Sequence, residues 1–178
     1  MQRSRTPSGT LKALGHGHPT DSRELFVASL PHEVSTTSPT KRSLSVLLVD
    51  DAPVIIDLYP TTLRKLPGVS VSAHLVHTVA QAQSIFQLQH PTPDVVITDL
   101  SFSPSSTQGF SFAQWIRTHY PNVTIVLTTS IWADGEHSAE VLHIRQLVKD
   151  GVIDAVFQKG HIDDLAAFVQ SKAEEARV

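Results

Sequence analysis

Leu44-Ser45-Val46-Leu47-Leu48-Val49-Asp50-Asp51 decides the fold: a run of six residues, five of them apolar, closes on a pair of aspartates. A stretch this short and this continuously apolar reads as a strand buried on both faces. The period then changes. Val54, Ile55, Leu58, Thr62, Leu63 and Leu66 recur at helical spacing, with Pro60 expected to kink or interrupt that helix.

The alternation repeats along the rest of the chain. Val71, Ala73 and Leu75 alternate as a half-exposed strand, and Thr78 is the expected N-cap of a helix with Val79, Ala82 and Phe86 on its inner face. Residues 94–98 form the next apolar run, before a helix through Phe112, Trp115, Ile116 and Tyr120. Residues 123–127 precede a helix carrying Val141, Ile144 and Val148, which Gly151 should stop. Residues 153–157 lead into a last helix, with Ile162, Leu165, Ala166 and Val169 inward and Asp163 and Asp164 favourably placed in its first turn. Five strand–helix repeats with short connections imply right-handed crossovers and an α/β fold with a doubly wound parallel sheet.

Residues 1–43 read differently. They are rich in Ser, Thr, Pro, Gly and His, show no sustained period, and are expected to be a disordered or weakly structured tail before a domain at 44–178. Within the tail, Glu24-Leu25-Phe26-Val27-Ala28-Ser29-Leu30 is apolar enough for a marginal helical turn, too short to be stable alone in water. His16-Gly17-His18 lacks the further ligands a metal tract would need. The first twenty residues are basic, hydroxyl-rich and free of acids, a faint likeness to an organelle transit peptide. With no apolar stretch near the roughly 20 residues of a membrane span and no signal-peptide core, the expected compartment is the cytoplasm.

Composition narrows the chemistry. The chain of 178 residues has no cysteine, which excludes disulfide frameworks, thiol catalysis and cysteine-ligated metal centres. Residues 1–43 carry Arg3, Arg5, Lys12, Arg23, Lys41 and Arg42 against Asp21, Glu24 and Glu33, a balance of +3, so the total of −3 leaves −6 on the remainder. An acidic folded part argues against nucleic-acid binding, which requires clustered Lys and Arg.

The acids are not scattered. Asp50 and Asp51 end the first strand, Asp99 the third, Thr128 the fourth and Lys159 the fifth. In an open parallel sheet the carboxyl ends of the strands share one edge, where such folds bind ligands, so these residues should meet in one crevice. Each has an ordinary reading by itself: a helix cap for Asp51, turn chemistry for Asp99 and Thr128, a solvated cation for Lys159. Their ordered joint occurrence does not. Three carboxylates, a hydroxyl and an ammonium suit a divalent cation and a phosphoryl group. Close carboxylates raise one another's pKa, and a bound cation keeps one of them ionised as a nucleophile.

On these residues the stretch 44–172, about three quarters of the chain, resembles a two-component response regulator receiver domain of the stand-alone, chemotaxis-regulator type. The resemblance implies a flavodoxin-like sheet of strand order 2-1-3-4-5. It further implies that Asp50 and Asp51 hold Mg2+ together with Asp99 and the backbone carbonyl of Ser101, that Asp99 is the phosphoacceptor, that Thr128 is the switch hydroxyl, and that Lys159 steadies the phosphoryl group. A sensor histidine kinase or histidine phosphotransfer protein would be the donor, and a downstream protein the target. The chain would be no enzyme beyond its own Mg2+-dependent phosphorylation and dephosphorylation.

The sequence also departs from the family. Gly160 stands where proline is usual, and Val156 where an aromatic switch residue is usual, unless neighbouring Phe157 takes that role. The connection from Asp99 to Gly109 through Ser103-Pro104-Ser105-Ser106-Thr107 is long, as is the stretch from Thr128 to Lys159, with Ile131-Trp132-Ala133-Asp134-Gly135-Glu136-His137 as the extra material. Trp132 is a candidate lid over the site. These departures give body to the alternative of a phosphorylation-independent protein-binding module with an idle receiver site. An aspartate-nucleophile phosphatase is a poorer match, because Ser101 occupies the place of its general-acid carboxylate. A nucleotide-binding enzyme is poorer still, since no Gly-rich loop follows Val49.

Overall fold

The computed structural model describes residues 43–102, 108–130 and 139–177. The tail, the loop around residues 103–107 and the candidate lid Trp132 with its segment lie outside the described residues. Five strands and five helices alternate: β1 (Leu44–Asp50), α1 (Pro53–Leu63), β2 (Val69–Leu75), α2 (Val79–Leu88), β3 (Val95–Asp99), α3 (Gln108–His119), β4 (Thr124–Thr129), α4 (Ala139–Lys149), β5 (Ala155–Gln158) and α5 (Ile162–Glu175). All neighbouring strands are parallel, in the order β2-β1-β3-β4-β5. This is the doubly wound, flavodoxin-like sheet the sequence predicted.

The period of two along each strand sorts side chains onto two cores. Leu44, Val46 and Leu48 of β1 face one side with Ile97, Val126 and the α1 and α5 residues Ile55, Tyr59, Leu63, Leu165 and Val169. Leu47 and Val49 face the other with Val96, Ile125, Leu127 and residues of α2, α3 and α4. That second core is aromatic, with Phe86 set edge-on to Trp115 at 5.7 Å and within 4.7 Å of Tyr120 between ring centres. Burial on both faces is why β1, β3 and β4 read as unbroken apolar runs.

The helices follow their predicted positions with two changes of phase. In α1 the buried stripe is Ile55, Tyr59 and Leu63, whereas Val54 and Leu58 are 65% and 50% exposed. In α4 it is Val141, Ile144 and Leu147, while Val148 is 41% exposed. Pro60 does not interrupt α1, which continues to Leu63. Its ring is buried, so packing overrides its poor propensity. Thr78 caps α2 as expected, its hydroxyl accepting from the Gln81 N–H at 3.2 Å. Among the described residues no helix is long and apolar enough to cross a membrane.

Candidate functional site

Sheet register brings the predicted residues together. Asp50 ends β1, Asp99 ends β3 directly opposite Thr128 of β4, and Gln158, the last residue of β5, pairs with Thr129. Lys159 follows at once, its N–H donating to the Thr129 carbonyl at 2.8 Å. Its ammonium lies 3.0 Å from Asp50 Oδ2 and 3.0 Å from Asp99 Oδ2, and donates to Asp50 Oδ1 at 3.2 Å. One cation is therefore shared by two carboxylates from different strands.

Burial sets the electrostatics. Asp99 is only 5% exposed, and its pKa is pushed up from 3.8 to about 6 by burial, against the pull of Lys159 and with the help of Asp50. Asp50, fully buried, is raised as well, by burial first, although Lys159 and the Ala52 N–H, which donates to its Oδ1 at 2.8 Å, pull the other way. Burial alone would lower the Lys159 ammonium, but Asp99 and Asp50 outweigh it and hold the lysine above its ordinary range. Thr128 is completely buried, and its hydroxyl donates to the Thr98 carbonyl at 3.4 Å, beside Asp99 rather than onto it. Ser101 stands half-buried in the connection after β3.

The donor set fits a hard divalent cation. One oxygen from each of Asp50, Asp51 and Asp99 can be chosen so that all lie within 4.8 Å of one another. Asp50 Oδ2 is buried and accepts no hydrogen bond, although it sits within ion-pair range of Lys159. Three carboxylates facing one ammonium leave an excess of negative charge and an oxygen with lone pairs to spare, which is the chemistry that magnesium takes.

Two further residues matter here that the sequence reading did not single out for a role. A Cβ on Gly109 would lie 2.0 Å from the Asp99 carbonyl oxygen, so only glycine lets the first turn of α3 pack against Asp99. In the sequence Gly109 marks only the length of the loop, because a close backbone approach leaves no local signature. Tyr59 is the other. Its hydroxyl accepts a hydrogen bond from the Gly160 N–H at 3.3 Å, a donor that a proline there would lack. Gly160 itself adopts φ +99°, open to glycine and strained for other residues. Phe157 does not replace the missing aromatic at Val156. Adjacent strand residues point to opposite faces, so Val156 packs toward α3 and α4, while Phe157 packs toward α5 with its ring 5.6 Å from that of Phe168.

A doubly wound sheet with an acidic cluster and a lysine at its carboxyl edge defines a class of α/β domains that handle anionic ligands at a topological switch point. Within that class, the chain belongs to the response regulator receiver domain family, which matches residues 46–170. No curated protein matches it significantly. Among solved structures it is similar to a LuxR-family two-component response regulator from Aurantimonas sp. SI85-9A1 (19% identity, 76% of this chain and 88% of that chain, TM-score 0.58). It is also similar to the signal receiver domain of an HD domain-containing protein from Pseudomonas fluorescens Pf-5 (22%, 80% and 95%, TM-score 0.59). A third is the isolated receiver domain of RcsB from Salmonella enterica serovar Typhimurium, solved with phosphomimetic BeF3- (21%, 77% and 93%, TM-score 0.58). At these identities the likeness to each structure is one of fold.

Proposed function

We propose that the chain accepts a phosphoryl group on Asp99 from a phosphohistidine of a sensor kinase or phosphotransfer protein and signals by protein contact in the cytoplasm. The observation that carries this reading is the ammonium of Lys159, 3.0 Å from both Asp50 and Asp99 at the carboxyl edge of the sheet. An Asp99 carboxylate oxygen attacks phosphorus, the phosphorus–nitrogen bond to the donor imidazole breaks, and the imidazole leaves with the bonding pair and takes up a proton. The product is an acyl phosphate on Asp99, which water later hydrolyses.

Asp50, Asp51, Asp99 and the Ser101 carbonyl would hold Mg2+, which when bound neutralises charge on the phosphoryl oxygens and keeps Asp99 ionised. Lys159 neutralises the remaining charge and orients the acceptor oxygen. Thr128, one strand away, is placed to turn its hydroxyl from the Thr98 carbonyl toward new charge on Asp99, which would move the chain after β4. The chain acts on its own aspartate and on no other substrate.

The test is intact-mass analysis after incubation with Mg2+ and a small acyl-phosphate donor, beside Asp99→Asn. The expected result is one phosphoryl addition in the parent chain and none in the variant. A folded parent that gains no mass would defeat the proposal and favour a binding module that works without phosphate.

A further inference from the structure

Tyr59 stands outside the cluster of charges, yet its hydroxyl reaches the turn that carries Lys159. The residue is 1% exposed, its ring packed in the core between the sheet, α1 and α5. A phenylalanine would fill that space as well, so the hydroxyl is the feature that calls for an explanation. Its partner is the Gly160 N–H.

That hydrogen bond completes the support of Lys159. On one side the lysine N–H is tied to the Thr129 carbonyl at 2.8 Å, and on the other the next N–H is tied to Tyr59 at 3.3 Å. Beyond it the His161 N–H donates to the Gln158 carbonyl at 3.1 Å, closing a tight turn around the lysine. The Gly160 N–H belongs to the same planar peptide unit as the Lys159 carbonyl, so rotating that unit turns the lysine backbone. Tyr59 lies on α1, which begins at Pro53, just after Asp50 at the end of β1 and Asp51 in the connection that follows. The phenol thus joins the helix behind the acidic pair to the turn behind the ammonium.

We propose that Tyr59 is a positioning residue: through the Gly160 N–H it fixes the backbone from which Lys159 reaches Asp50 and Asp99. The chemical consequence rests on the phosphoacceptor reading of Asp99, whereas the geometric consequence does not. Gly160 is exposed at the surface, so removing the hydroxyl frees its N–H to turn toward water, and the peptide unit carries the Lys159 carbonyl with it.

Tyr59→Phe keeps the ring and tests the hydroxyl alone. In the metal-free protein, hydrogen exchange followed by NMR at the Gly160 amide and at the Lys159 ammonium should quicken about three- to tenfold, the worth of one hydrogen bond. At saturating Mg2+, phosphorylation by the acyl-phosphate donor should slow by a similar factor, while the Mg2+ concentration for half-saturation stays at the parent value because the three aspartates are untouched. Ile55→Val, in the same core and on the same helix, removes a methyl group and no polar atom, and should leave both exchange rates and the phosphorylation rate unchanged. Parent-like exchange at Gly160 and Lys159 in Tyr59→Phe would overturn the proposal, as would Ile55→Val reproducing the changes. A parent chain that takes up no phosphoryl group defeats the phosphoacceptor reading and the rate comparison with it, and the exchange measurement still decides whether Tyr59 holds Lys159.

Discussion

The carboxyl group of Asp99, the proposed phosphoacceptor, carries a cost to stability. Its pKa rises from 3.8 to about 6 on folding, so between those values the folded chain binds more protons than the unfolded one. Stability of the metal-free protein contributed by this group is therefore highest below about pH 4, falls as pH rises through about 6, and is level above that, with a total of at most about 3 kcal/mol. Asp50 is shifted in the same direction and adds to the slope, whereas the raised Lys159 loses its contribution only in alkali, outside this window. Denaturant unfolding at pH 4.5 and pH 7.5 should show Asp99→Asn gaining stability over the parent at the higher pH and little or none at the lower. Added Mg2+ should stabilise the parent more than the variant at pH 7.5. An equal difference between the two chains at both pH values would contradict the assigned shift. Asp50, Asp51, Asp99, Thr128 and Lys159 were all legible in the sequence because each closes an apolar run, and strand ends are what such runs mark best. Tyr59 and Gly109 were not, because what they do depends on a partner many residues away.

At the scale of elements, strands were easier to read than helix faces. Strands buried on both sides are nearly all apolar, so their position is plain and their phase hardly matters. α1 and α4 carry more apolar side chains than one buried stripe can take, and the surplus blurs the phase. In α4 the choice lay between neighbours, and Leu147, 4% exposed, is inward while Val148 is not. Leu147→Ala should cost about 2–5 kcal/mol and Val148→Ala less than about 0.5 kcal/mol. Equal losses in a denaturant series would mean that α4 is rotated from the orientation described. In α1 the same surplus hid Tyr59, since Val54 and Leu58 offer a second apolar line on the same helix.

Across the whole molecule, chemistry gathers at the carboxyl edge of the sheet and a separate set of polar ties secures the amino edge. There Arg117 donates to Asp154 at 2.6 Å and to the carbonyls of Pro121, Val123 and Val152, while Asp154 also accepts from the Ile125 N–H at 2.7 Å. The end of α3 is thereby fastened to the start of β4 and to the entry of β5. Asp154→Ala should cost about 1–3 kcal/mol, mainly through the Ile125 N–H it leaves without a side-chain partner. The phosphoryl uptake of the folded variant should equal that of the parent, measured by intact mass under conditions where both are folded. A variant that stays folded but loses uptake would show that the two edges are coupled.

The shared cation has a meaning in time as well as in space. Lys159 reaches Asp50 across 109 residues of chain, and it does so from the strand that docks at the far edge of the sheet. A chain whose first four strands had assembled would hold its three aspartates with no ammonium among them. Completion of the site therefore coincides with completion of the fold. On the proposed phosphoacceptor reading, a newly made copy gains the ammonium beside Asp99 only when its last strand is home.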